Sequence, residues 1–240
     1  MIDVTYDNAV AIVQLNRGTT NALNLEMVQE LANIIEMVSG MPKVRALVLS
    51  SANEKFFSIG FDIPQLYELP KEGFRNFYKT FNETCMALFT LPKPTVAGIT
   101  GHAIAGGCIV TLCCDYRVIG EGRKLMGLNE IKLGVPVPYL ASCILQSIVG
   151  AREARQVEEF GEFYEAKILL RKGLVDEVAP QAEVLERARE MAVVLSAMPP
   201  EAYQRIKENR LEQVERRIRA NWEKRQQEFV EMWYSEEARK

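Results

Sequence analysis

Two hydrophobic periods alternate along the first 135 or so residues. Residues 10–15 (VAIVQL) and 44–50 (VRALVLS) are dense in β-branched and aliphatic side chains and predict strands. Between them Leu25, Val28, Leu31, Ile35 and Val38 recur at steps of three and four, the spacing of an amphipathic helix. Asn24 stands where an N-cap is needed, and Gly40 and Pro42 stand where the helix must end. The helical spacing returns at Phe74, Phe77, Phe81, Cys85 and Leu88 and stops before Leu91-Pro92. Residues 95–100 predict a buried strand, residues 105–114 an apolar helix with Gly106-Gly107 at its start, and residues 116–119 another strand. Strands separated by helices predict an α/β core with a partly parallel sheet.

Past residue 138 the helical period takes over. Segments 139–149, 152–159, 165–171, 182–197 and 201–233 predict helices, with one short strand at 174–178 and stops at Gly150, Gly173 and Pro180. The chain therefore divides into an α/β part, residues 1–137, and a helical part, residues 138–240. Trp222, Phe229, Met232 and Trp233 fall among many charges in the last helices. They pack either on their own core or on another subunit, and the pattern leaves both open.

Composition removes several function classes. Hydrophobic residues make up 48% and charged residues 25% of 240 positions, which excludes a disordered or fibrous chain. With 29 basic and 32 acidic residues the net charge is −3, so no basic field invites nucleic acid or anionic lipid. The five cysteines, at 85, 108, 113, 114 and 143, are odd in number and lie among apolar residues, which argues against a disulfide framework and for a reducing compartment. No apolar run is long enough to span a bilayer, and residues 1–8 (MIDVTYDN) lack the basic and apolar regions of a signal peptide; a cytoplasmic location is expected. A single histidine excludes a multi-histidine metal site. Neither a phosphate-binding GxxxxGK[ST] nor a dinucleotide GxGxxG nor a GxSxG elbow occurs.

Two backbone-rich segments remain. Phe56-Phe57-Ser58-Ile59-Gly60-Phe61-Asp62 follows a strand, and residues 101–108 (GHAIAGGC) join a strand to the apolar helix. A Gly-Gly pair opening a helix leaves N–H groups bare, and their partial positive charge suits a developing oxyanion.

Taken together with Asn16-Arg17, Asn21-Ala22-Leu23, Lys93-Pro94, Cys114-Asp115, Gly127-Leu128-Asn129-Glu130 and residues 173–178 (GLVDEV), these segments resemble the crotonase superfamily, the enoyl-CoA hydratases and isomerases. The likeness runs in order through almost the whole chain. It implies a crotonase-like spiral of ββα units with a C-terminal helical trimerisation region. It implies an acyl-CoA thioester as substrate, no metal, and no cofactor beyond the coenzyme A that the substrate carries. It implies a homotrimer or a dimer of trimers, with Trp222 and Trp233 in the contact. It implies an oxyanion hole made by the backbone N–H groups of Ile59 and Gly106, with Ser58, Gly60, Phe61, Asp62 and Ile109 beside the substrate.

Hydratases of that superfamily use two glutamates. One position falls here on Ile109 and the other on Glu130. A lone carboxylate cannot both orient and activate a water, but it suffices to carry a proton. The resemblance therefore implies a Δ3,Δ2-enoyl-CoA isomerase of fatty-acid β-oxidation with Glu130 as the catalytic residue. Another acyl-CoA reaction (a weak hydratase, a thioester hydrolase, a decarboxylase) and a non-catalytic acyl-CoA-binding protein stay open. His102 lies near the oxyanion segment and is a weaker candidate for a substrate contact.

Overall fold

The computed structural model describes residues 1–239. Ten strands run in chain order: β1 (Ile2–Asp7), β2 (Val10–Leu15), β3 (Ala46–Ser51), β4 (Phe56–Ser58), β5 (Thr95–Ile99), β6 (His102–Ile104), β7 (Tyr116–Gly120), β8 (Leu125–Gly127), β9 (Tyr164–Glu165) and β10 (Glu177–Ala179). The α-helices are α1 (Leu25–Gly40), α2 (Ile63–Tyr67), α3 (Lys71–Phe89), α4 (Gly106–Leu112), α5 (Tyr139–Phe160), α6 (Ala166–Lys172), α7 (Val184–Ser196), α8 (Pro200–Ala220) and α9 (Trp222–Trp233).

The strands form two sheets, one of six strands in the order β1-β2-β3-β5-β7-β10 and one of four in the order β4-β6-β8-β9. Successive pairs β3/β4, β5/β6 and β7/β8 each place their first strand in the large sheet and their second in the small one, and a helix follows each pair. That repeat is the expected spiral of ββα turns. Pairing is parallel along β2-β3-β5-β7-β10 and along β4-β6-β8. β3 reads ALVLSS and is buried at every position, because α7 covers one face of the large sheet through Ala188 and Ala192 while the main core covers the other.

Several sequence expectations shift. β1 was not predicted; it pairs antiparallel with β2 and has only Ile2 buried, so its hydrophobic signal is thin. The expected strand 174–178 lies at Glu177–Ala179, after Leu174 and Val175 have entered the core as loop residues. The long helix expected at 201–233 is broken at Asn221, giving α8 and α9. The stop at Gly150 takes the form of a kink inside α5, where Gly150 has φ 76° and ψ 163°. Residues beyond 138 also complete both sheets, through β9 and β10. The expected interface residue Trp233 is buried in its own chain, stacked on Phe74 with ring centroids 4.4 Å apart. Phe229 likewise stacks on Tyr78 at 4.2 Å, so α9 belongs to the core beside α3. Trp222 is half-buried and Met232 is exposed.

Candidate active site

A cavity of about 680 Å³ opens between the two backbone segments, the short 3-10 turn Glu130–Leu133 after β8, and α9. Its wall includes Arg17, Ile59, Phe61, Asp62, Ile104, Ala105, Gly106, Asn129, Glu130, Phe229 and Trp233.

The first segment is shaped by the loop before α1. Asn21 is fully buried and is the hub of that loop: its side-chain amide donates to Leu15 O, Ser51 Oγ and Phe57 O, while its Oδ1 accepts from Arg17 N–H at 2.7 Å. Residues 58–62 then bond to this loop almost group by group. Ser58 Oγ donates to Asn21 O at 2.7 Å, Ile59 N–H to Thr20 O at 2.9 Å, Leu23 N–H to Gly60 O at 2.7 Å, and Asp62 N–H to Leu23 O at 2.9 Å. Gly60 N–H bonds back to Ser58 Oγ at 3.1 Å. Among the described residues this leaves Phe61 N–H without an acceptor.

The second segment turns sharply at Ala105, whose φ of 47° and ψ of −118° lie in a region alanine rarely occupies. Ala105 N–H bonds to Gly127 O at 2.9 Å, and Ile109 N–H caps back to Ala105 O. Gly106 is the first residue of α4, so its N–H has no partner in the helix. The two segments meet closely. A Cβ on Gly60 would stand 2.8 Å from Gly106 N, and one on Gly107 would stand 2.3 Å from Ser58 O. Glycine is required at both by this approach.

The oxyanion assignment is therefore corrected. Ile59 N–H is spent on Thr20 O, so it is not available; the N–H groups left without a backbone acceptor are those of Phe61, two residues on, and Gly106. The side chain of Ile59 does line the cavity, with 39% of its surface exposed. Of the residues expected beside the substrate, Phe61 and Asp62 reach the cavity wall. Ser58 and Gly60 instead hold the turn from behind, and Ile109 is sealed in the core at 1% exposure on the inner face of α4. His102 also lies outside the wall. Its Nδ1 accepts from Leu125 N–H at 3.0 Å, pinning β6 to β8, and burial followed by Lys124, Arg123 and Lys55 holds its pKa below the ordinary value. Asp115 anchors α8: it accepts from Thr95 N–H, from buried Lys207 at 2.7 Å and from Arg210.

Glu130 arrives opposite the oxyanion turn because β6 pairs with β8 through Ile104↔Gly127, and the chain curls into a short 3-10 turn three residues later. It is 5% exposed, and its Oε2 meets no hydrogen-bond partner among the described residues. Burial pushes its carboxyl from the usual 4.5 up to about 7, with bonds from its own and Asn129's backbone opposing and the charge of Glu158 adding. The other carboxylate on the wall, Asp62, is committed elsewhere. It pairs with Arg17 at 2.8 Å and caps α2 through Gln65 N–H. The cavity wall thus holds one titratable carboxylate that no other side chain pairs, together with the two residues, Phe61 and Gly106, whose N–H groups are bare. Such a site can remove a proton beside a carbonyl and hold the enolate that results. No group of metal-ligating residues occurs among the described residues, and no described helix is long and apolar enough to cross a membrane.

The family description "Enoyl-CoA hydratase/isomerase" matches residues 5–240. Mouse mitochondrial enoyl-CoA delta isomerase 1 is 31% identical over 208 residues, which is 86% of this chain and 72% of that protein. A short-chain-enoyl-CoA hydratase of Clostridium acetobutylicum is 30% identical over 197 residues, 82% of this chain and 75% of that protein. The crystal structure of human mitochondrial delta3-delta2-enoyl-CoA isomerase superposes with a TM-score of 0.95 at 27% identity, covering 99% of this chain and 93% of that one. The fold is thus the crotonase fold, the reaction acts on an enoyl-CoA, and the chain belongs to the enoyl-CoA hydratase/isomerase family.

Proposed function

We propose that the protein moves a double bond from C3 to C2 of an enoyl-CoA thioester, with Glu130 as the only proton carrier. The observation that carries this reading is the Glu130 carboxylate, with Oε2 unpartnered and no side chain paired to it, in one cavity with the free N–H groups of Phe61 and Gly106. Glu130 takes a proton from C2, and the C2–H electrons form a C1=C2 bond while the thioester oxygen becomes an anion between the two N–H groups. The carboxyl then returns the same proton to C4. The C3=C4 electrons form the new C4–H bond, the carbonyl re-forms, and the double bond comes to rest at C2=C3. A carboxyl whose pKa burial has pushed up to about 7 is matched to both halves of this exchange. Ile109, sealed in the core where hydratases of the superfamily carry their first glutamate, supports isomerisation over hydration, because hydration needs a second group to orient the water.

The test follows conjugation of 3-hexenoyl-CoA and hydration of crotonyl-CoA separately on the same preparation. Isomerisation faster than hydration is expected, and the reverse order would overturn the mechanism. We further propose a homotrimer or a dimer of trimers, supported by the exposed apolar side chains of Phe160, Ile131 and Leu133. The five buried free thiols support a reducing compartment, the cytoplasm.

A further inference from the structure

Two wall residues outside the proposed reaction carry a buried polar atom with no partner among the described residues, Asn129 at Oδ1 and Trp233 at Nε1, and of the two only Trp233 offers a donor. It closes the last turn of α9, is 3% exposed, and forms part of the cavity wall. Its ring stacks on Phe74 at 4.4 Å and meets Tyr67 and Phe61 edgewise at 5.2 and 6.4 Å, so packing fixes its orientation. Its carbonyl accepts from Arg239 Nε at 3.3 Å. Its indole Nε1, a donor only, is buried with no acceptor among the described residues. The rings around it are Phe61, Phe74, Phe229 and Tyr67, and the Tyr67 hydroxyl is spent as a donor on Ala238 O. A cavity meant for plain hydrocarbon is filled at lower cost by a fourth phenylalanine than by a buried N–H that nothing satisfies.

We propose that the Trp233 N–H recognises an oxygen on the acyl chain itself, a hydroxyl or oxo group beyond C4, and so selects oxygenated acyl-CoA substrates over plain ones. The inference rests on the enoyl-CoA reading above. In that reading the thioester oxygen belongs to Phe61 and Gly106, so the Trp233 donor serves a second oxygen. Two sources carry such an oxygen, the acyl chain and the pantetheine amides common to every acyl-CoA. The proposal commits to the first.

The experiment measures binding of saturated thioesters, which cannot isomerise, so its outcome is independent of whether the enzyme moves a double bond. Octanoyl-CoA, its 5-, 6-, 7- and 8-hydroxy derivatives and free CoA are titrated against wild type and two variants. One is Trp233→Phe. The other carries β-(3-benzothienyl)alanine at position 233, which keeps the bicyclic shape and replaces N–H by sulfur. Wild type is expected to bind one hydroxy isomer about tenfold more tightly than octanoyl-CoA. The benzothienyl variant should lose that preference while its affinity for octanoyl-CoA stays within twofold. The proposal is overturned if no isomer is preferred, if the variant keeps the preference, or if it loses affinity equally for octanoyl-CoA and free CoA, which would assign the N–H to pantetheine. An ¹H–¹⁵N spectrum of wild type needs no variant at 233. The protein has two tryptophans, so Trp222→Phe assigns the indole signals. The Trp233 signal should move downfield with the preferred hydroxyacyl-CoA and not with octanoyl-CoA. An unmoved signal overturns the proposal even if both variants fail to fold.

Discussion

In the proposed reaction the working atoms on one side of the cavity are two amides, Phe61 N and Gly106 N, and on the other they belong to side chains, Glu130 and Trp233. The amide side is held by bonds to the loop around Asn21, which consume the N–H groups of Ile59 and Asp62, while Gly60 N–H goes to Ser58 Oγ and Phe61 N–H is left free. Its function depends on where the backbone goes, and side-chain identity matters only where space forbids a Cβ, as at Gly60 and Gly107. The carboxylate side works the other way. Little ties Glu130 down beyond its own backbone and Asn129's, and burial itself gives the group its chemistry. Substitutions on the first side should act through geometry, and on the second through the proton or the hydrogen bond that is lost.

The largest contrast is expected at Glu130. Glu130→Gln keeps the shape of the wall and abolishes the exchangeable proton, so turnover should fall by roughly 10³- to 10⁴-fold while acyl-CoA binding persists. Steady-state kinetics with 3-hexenoyl-CoA, paired with a binding titration, measure the two effects. Near-native turnover in this variant would make the carboxylate structural and assign proton transfer to another group.

The amide side is best probed by replacing single amides with esters, which removes one N–H and leaves the side chain intact. An ester at Phe61 should cost on the order of 10²-fold in rate, the usual loss for one oxyanion donor. An ester at Ile59 should lower stability by about 1 kcal/mol, the worth of its bond to Thr20, and leave the rate within a few-fold. The opposite pattern would restore Ile59 as the donor and remove the distinction between the two positions.

That pair of outcomes also marks where the sequence is legible. The amphipathic spacing of α1 and α3 and the aliphatic runs of β2, β3 and β5 predict their elements because burial on one face or both leaves a repeating trace. Glu130, which the structure places buried on the cavity wall, is legible as a candidate because a side chain's chemistry is written in its letter. The oxyanion donor is not. Which of the N–H groups in residues 58–62 stays free depends on bonds to residues 20–23, and any residue type can supply a backbone amide. Trp233 is misassigned to an interface for a related reason: a ring among charges reads as exposed until α3 supplies Phe74 to cover it. β4, β6 and β8 span three residues each, too short to carry a period, yet they bring the two walls together.

The pH dependence sharpens the carboxylate side. The Glu130 carboxyl ionises near pH 4.5 in the unfolded chain and near 7 in the folded one. Below pH 4.5 both states hold the proton and the group costs nothing. As pH rises from about 4.5 to 7 the unfolded chain releases its proton first, so stability falls, by about 3 kcal/mol in total, and the loss levels off above 7. Activity should run the other way, because the base form is needed: kcat/KM should rise with pH and reach half its plateau near 7. Denaturant titrations at pH 4 and pH 8 check the first statement. Wild type should lose stability between the two relative to Glu130→Gln, and parallel curves would show that the carboxyl is not buried in solution.

The smallest expected effect lies back on the amide side, at Ala105. Its φ of 47° is a conformation that costs a residue with a Cβ about 1–3 kcal/mol and costs glycine almost nothing. Ala105→Gly removes that strain but adds roughly 0.5–1 kcal/mol of backbone entropy to the unfolded chain. The balance is a gain of about 1 kcal/mol, or a rise in Tm of some 2–4 °C for a chain of this size. The direction of the Gly106 N–H is fixed by backbone bonds, Ala105 N–H to Gly127 O and Ile109 N–H to Ala105 O, which the substitution keeps. Isomerase activity should therefore stay within twofold of wild type. If Ala105→Gly instead unfolds at lower temperature, or loses tenfold or more in rate, the methyl group at 105 holds the turn, and the amide side depends on a side chain after all.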